Sequence, residues 1–143
     1  MAHIKGEKLY GFSVRMATEN DIPYIQEITK DAFLKYIKEK YVFVAFIDGE
    51  PVGSVRVKIN DDNTAYLSRF GVRISNQNNG VGKTLMSVVD KVMREHKVKK
   101  LMLHTAAKFF TLVRFYYGRG FYIDEVSKDK GYARALLIKE YDV

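Results

Sequence analysis

The chain has 143 residues, with 24 Lys and Arg against 17 Asp and Glu (net charge +7), 47% apolar residues and no cysteine. That is enough chain for one domain with a real core, and it is too apolar and aromatic for a disordered segment. A disulfide framework and thiolate chemistry are excluded. The longest apolar run, residues 41–47, is far short of a membrane span, and the start Met-Ala-His-Ile-Lys-Gly-Glu lacks the apolar core of a signal peptide, so a cytoplasmic protein is expected. Basic residues are spread along the chain apart from Lys97, Lys99 and Lys100, which reads as a solvated surface rather than a nucleic-acid site.

Phe12 to Met16 reads as a first short strand. Thr18-Glu19-Asn20-Asp21 is a capping box, with Pro23 in the first turn of a helix whose apolar stripe is Ile22, Ile25, Ile28 and Ala32. Residues 33–40 continue as a second helical segment. Tyr41 to Ile47 is apolar on both faces and predicts an interior strand, closed by an Asp48-Gly49 hairpin turn. Val52 to Ile59 alternates, with Val55, Val57 and Ile59 inward and Ser54, Arg56 and Lys58 outward. Asn60 to Asn63 makes the next turn, and Ala65 to Ile74 returns as a strand. Gly71 lies inside it and signals either a bulge or close packing.

The strand runs into Ser75-Asn76-Gln77-Asn78-Asn79-Gly80-Val81-Gly82-Lys83-Thr84, and a helical pattern begins at once. Val81, Leu85, Val88, Val89 and Val92 form its apolar stripe, with Asp90, Lys91, Arg94 and Glu95 facing away. Strand, glycine turn and helix together aim unpaired backbone amides, at the positive end of a helix dipole, toward one point where phosphate binds readily. A Walker A loop needs a glycine where Gln77 stands, and a dinucleotide fingerprint needs a glycine or alanine where Leu85 stands, so both patterns fail. A plain hairpin at Asn79-Gly80 is disfavoured by the helix periodicity that follows. Residues 98–105 form a strand parallel to 65–74, because a helix separates the two. Residues 108–117 make a second helix on Phe109, Leu112, Val113 and Tyr116, ended by Gly120. Residues 121–126 and 132–138 close the chain as an antiparallel hairpin.

Gln77-x-x-Gly80-x-Gly82 between strand and helix resembles the cofactor signature of the GNAT superfamily of acyl-CoA-dependent N-acyltransferases. Tyr116, Gly120 and Phe121, at the expected distance downstream, match a second pattern of that family. The resemblance covers residues 67–121. It implies an α/β, mixed α+β fold in a single domain, residues 1–143. That fold has a central, mostly antiparallel mixed sheet of about seven strands, a V-shaped splay between its two parallel central strands, and about four flanking helices. It implies acetyl-CoA as co-substrate. The loop Gln77, Asn78, Asn79, Gly80, Val81, Gly82, Lys83 and Thr84 would hold the pyrophosphate, and the backbone of Phe70, Gly71 and Val72 would lie along the pantetheine arm. No metal is implied.

Acyl transfer to an amine needs a base for the amine, a donor for the oxyanion and a proton for the departing thiolate. A strand N–H near Phe70 or Val72 suits the oxyanion, and Tyr116 matches the family's usual donor to the thiolate. Residues 65–74 contain no Asp or Glu, where many members carry the base. His104, spaced from Tyr116 like the general-base glutamate of the branch that acetylates ribosomal-protein amino termini, is the candidate here, against the alternative of a satisfied core histidine. Phe109 stands where many members place an asparagine for the cofactor. The expected activity is N-acetyltransfer from acetyl-CoA to a small-molecule or peptide amine by direct attack in a ternary complex. A non-catalytic acyl-CoA sensor of the same fold is the alternative. No nucleic-acid or membrane partner is expected, and a homodimer is left open.

Overall fold

The computed structural model describes residues 2–3, 12–18 and 41–142. The helical segments expected over 22–40 lie outside them. Eight strands form one mixed sheet: β1 (Ala2–His3), β2 (Phe12–Met16), β3 (Tyr41–Ile47), β4 (Glu50–Ile59), β5 (Thr64–Val72), β6 (Lys100–Ala106), β7 (Tyr122–Ser127) and β8 (Arg134–Glu140). Their order is β1-β2-β3-β4-β5-β6-β8-β7. The strand beyond the expected count is the two-residue β1, which pairs with Ser13 and Val14. Only β5 and β6 are shown to run parallel, joined by helix α1 (Val81–Glu95), the crossover that parallel neighbours require. Helix α2 (Phe110–Gly118) follows β6. Two α-helices are therefore present among the described residues, not the four expected. No helix among these residues is long and apolar enough to cross a membrane.

The chain clusters into two compact units, residues 1–58 with 69–89, and residues 59–68 with 90–143. In the first, β3 is buried without interruption from Val42 to Phe46, as its two-faced apolar sequence demands. Asp48 and Gly49 both take positive φ (50° and 81°), the pair of values a two-residue primed turn needs. β4 starts two residues earlier than its alternation suggests. Pro51 is accommodated because the register shifts between Ala45 and Phe46, and proline in a sheet is tolerated at such irregularities. Arg56, expected on the wet face, is buried.

β5 differs most from expectation. Ala65 and Leu67 are buried, then the parity inverts and Arg69 and Gly71 face out. The residue in left-handed conformation is Arg69, at φ 52°, while Gly71 is not in that region. An extra residue at Arg69, two positions before the glycine that suggested a bulge, would account for both facts. The strand also ends at Val72. Ile74, expected within it, is 86% exposed and opens a 3-10 turn over Ile74–Asn76.

In the second unit β8 lies between β6 and β7, antiparallel to both. Asp90 does not face solvent as its place on α1 suggested. Its carboxylate accepts from Lys139 Nζ at 2.8 Å and from the Tyr141 hydroxyl at 2.6 Å, and Lys139 also donates to the Arg119 carbonyl at 2.6 Å. Both members of the ion pair are largely buried. The buried stripe of α1 is Val81, Leu85, Met86, Val89 and Met93, with Val88 and Val92 only half-buried. The flexible methionines take the inner positions that the sequence pattern gave to branched valines.

Candidate functional site

In the first unit the tail of β5 is anchored before the glycine loop begins. The Arg73 amide donates to the Val52 carbonyl at 2.7 Å, and the Gln77 side-chain amide donates back to the Val72 carbonyl at 3.1 Å. Gln77 thus closes the turn over the strand end. The chain then passes through Asn78 at φ 66° and Gly80 at φ 84°, a conformation that asparagine and glycine adopt at least cost. The Gly80 carbonyl accepts both the amide (2.9 Å) and the hydroxyl (2.8 Å) of Thr84. That amide makes the first bond of the α1 ladder. The amides of Val81, Gly82 and Lys83 precede it and have no acceptor among the described residues. Three donors thus stand at the positive end of a fifteen-residue helix, two of them beside a glycine, the kind of place where phosphate groups bind readily.

Gly53, on β4, makes room for this arrangement. A Cβ built there would stand 3.0 Å from the Gly71 carbonyl oxygen, 3.1 Å from Leu85 and 3.2 Å from Val81. The close approach of β4 to the end of β5 and the head of α1 therefore requires glycine. A Cβ on Gly71 would meet nothing within 4 Å, so packing does not explain the glycine there, and the residue is exposed. Phe70 and Val72 on either side are half-buried, and Asn78, Asn79 and Lys83 are exposed.

In the second unit His104 is exposed on β6 and not a core residue. Its Nδ1 lies 2.7 Å from the Tyr66 hydroxyl, with the rings 5.7 Å apart. The parallel register explains the meeting: Tyr66 stands opposite Met102, and His104 is two residues further on the same face, within diagonal reach of an aromatic side chain. Partial burial, with help from the Arg134 charge, lowers the His104 pKa below its usual 6.5 against the opposing pull of Asp129 and Glu125. The imidazole is thus neutral at pH 7. Tyr116 is 3% exposed on α2, edge-on to Phe121 and Phe115 at ring distances of 5.5 and 5.6 Å. Burial raises its pKa far above that of an ordinary phenol, so it stays protonated. Phe109, at the asparagine position of the resembled pattern, is exposed and precedes α2 without a side-chain cap.

Tyr66, Gly53 and Arg69 are the residues that sequence reasoning missed. The signal for Tyr66 was present: it lies in the strand searched for a carboxylate, and a phenol was not counted as a partner for the histidine. Nothing in the pattern around Gly53 or Arg69 separates them from ordinary strand residues. Among the described residues no group of three or more potential metal ligands comes together.

A family profile described as the acetyltransferase (GNAT) family matches residues 13–121, and the chain belongs to that family. Comparison with curated protein sequences gave no match. Solved structures of the same fold include Ard1 from Thermoplasma volcanium, at 19% identity and TM-score 0.82, covering 93% of this chain and 99% of that one. The PaiA N-acetyltransferase from Thermoplasma acidophilum, in complex with coenzyme A, aligns at 19% identity and TM-score 0.79 over 91% and 99% of the two chains. A GNAT family acetyltransferase from Elizabethkingia anophelis with acetyl-CoA bound aligns at 20% identity and TM-score 0.73 over 92% and 99%. At these identities the likeness is one of fold.

Proposed function

We propose that the protein transfers the acetyl group of acetyl-CoA to a primary amine by direct attack, with both substrates bound at once. The observation that carries this reading is the head of α1, where the Val81, Gly82 and Lys83 amides stand ahead of the helical ladder behind a Gly80 turn. Membership of the acetyltransferase family supports acetyl-CoA as the co-substrate, and the cradle of these amides is our assignment for its diphosphate; the thioester supplies the activated acyl group. Gln77 holds the loop in place through Val72, Thr84 fixes the first helical turn through Gly80, and the exposed side-chain face of Gly71 suits the pantetheine arm.

The remaining roles fall to the second unit. His104 takes the proton from the attacking amine. The Tyr66 hydroxyl, 2.7 Å from Nδ1, holds the ring; the tautomer that acts as base is the one in which Nδ1–H donates to the Tyr66 oxygen and leaves the Nε2 lone pair for the amine. The lowered His104 pKa keeps that lone pair available at neutral pH. The ordinary pKa of a thiol, about 8.5, is far below the raised value of Tyr116. Tyr116 serves as a hydrogen-bond donor to the forming thiolate rather than by giving its proton away outright. The Tyr66–His104 pair supplies the base that the missing carboxylate left in question, and so favours catalysis over an acyl-CoA sensor. Release of free thiol from acetyl-CoA on adding a panel of primary amines tests the reading. Amine-dependent release is expected, and tight acetyl-CoA binding with no release on any amine would return the sensor.

A further inference from the structure

We propose that the preferred acceptor is a diamine or polyamine, an amine carrying a second positive charge, and that Glu125 binds that second charge. This rests on the acetyl-transfer reading of His104 and adds the substrate class. The strand registers put His104, Leu136 and Glu125 directly opposite one another on β6, β8 and β7, and opposed residues share a face of the sheet. A shift in register between Ile123 and Glu125 brings Glu125, not Asp124, into this row. With strands about 4.8 Å apart, the Glu125 backbone lies roughly 10 Å from that of His104. Between them stands Leu136, half-buried, an apolar surface over which the methylene chain of a diamine can lie.

Glu125 is also the carboxylate on this face that is left uncommitted. It is exposed, and among the described residues it has no ion-pair partner. Asp129, by contrast, accepts from the Ser127 hydroxyl at 2.9 Å and lies 3.8 Å from Arg134, the residue one step along the same face at Ala106. The field of Glu125 reaches the imidazole, where it opposes the lowering of the His104 pKa. A chain of net charge +7 repels cations as a whole, so a lone unpaired carboxylate beside the proposed base is the local feature that would draw one in.

The test compares 1,8-diaminooctane with octylamine as acceptors, which share the reacting group and the chain. In the unaltered protein kcat/KM for the diamine should exceed that for the monoamine by roughly three- to fivefold beyond the factor of two that two equivalent ends provide. The excess should shrink at 1 M salt, as an exposed ion pair is screened. Glu125→Gln should bring the ratio back to the statistical factor. A ratio unchanged by Glu125→Gln overturns the proposal, and so does a variant that slows both amines equally, because Glu125 would then act only through the base. Turnover of neither amine by a protein that releases thiol with another amine of the panel overturns this proposal and leaves acetyl transfer standing; no release on any amine overturns both.

Discussion

His104→Ala is expected to lower kcat/KM for amine acetylation by about 10²–10⁴-fold, the usual contribution of a positioned proton-transfer group, with acetyl-CoA affinity unchanged. The pH profile gives the stricter form. Partial burial and the Arg134 charge lower the imidazole pKa, so the base is neutral above a value that itself lies below 6.5, and beyond the titration of the amine itself the profile should show a separate fall as the pH drops through that value. In His104→Ala this acid limb should vanish from what activity remains. Tyr66→Phe removes the hydroxyl 2.7 Å from Nδ1 and with it the partner that holds the ring. Loss of one such hydrogen bond, about 1–1.5 kcal/mol, predicts roughly a tenfold fall with the acid limb retained. In His104→Ala the further change Tyr66→Phe should then cost little, because the two residues act as one unit. Full activity in His104→Ala would remove the base from the mechanism.

Asp90→Ala carries the largest expected effect on stability. The carboxylate neutralises Lys139 and accepts from Tyr141 in surroundings that leave both members of the ion pair little exposed. Its removal leaves an ammonium whose other partner is one backbone carbonyl, and a Tyr141 hydroxyl without its acceptor. Breaking a buried pair from one side costs about 3–5 kcal/mol, and the residual exposure of this pair sets the expectation near 3. For a chain of this size that is roughly 10 °C in Tm by calorimetry. Asp90→Leu combined with Lys139→Met removes both charges and should recover much of the loss. If the double variant is no more stable than Asp90→Ala, the ion pair is not the source of the effect.

Asp90 also shows how far the sequence could be read. Its neighbours Lys91, Arg94 and Glu95 are exposed as their helical phase predicts, but which charge is drawn inward depends on Lys139 and Tyr141, some fifty positions away. Local periodicity carries no record of that. The elements themselves were legible because each has a local cause: alternation in β4, the Asp48-Gly49 turn, the glycine turn before α1. The glycine loop was legible for the same reason, its residues being contiguous. The Tyr66–His104 pair depends on the register between two strands joined by a fifteen-residue helix, which a sequence leaves open. The left-handed residue of β5 was not legible because glycine is its usual occupant, and here an arginine bears the conformation.

The account stands on the diphosphate of acetyl-CoA binding at the head of α1. The most direct test is to follow the backbone amide resonances of Gly80, Val81, Gly82 and Lys83 by NMR while coenzyme A is added. They should shift together and saturably with coenzyme A, and stay in place with pantetheine, which has no diphosphate. If coenzyme A binds while these four amides remain unmoved, the cradle is somewhere else and the mechanism built on it is wrong.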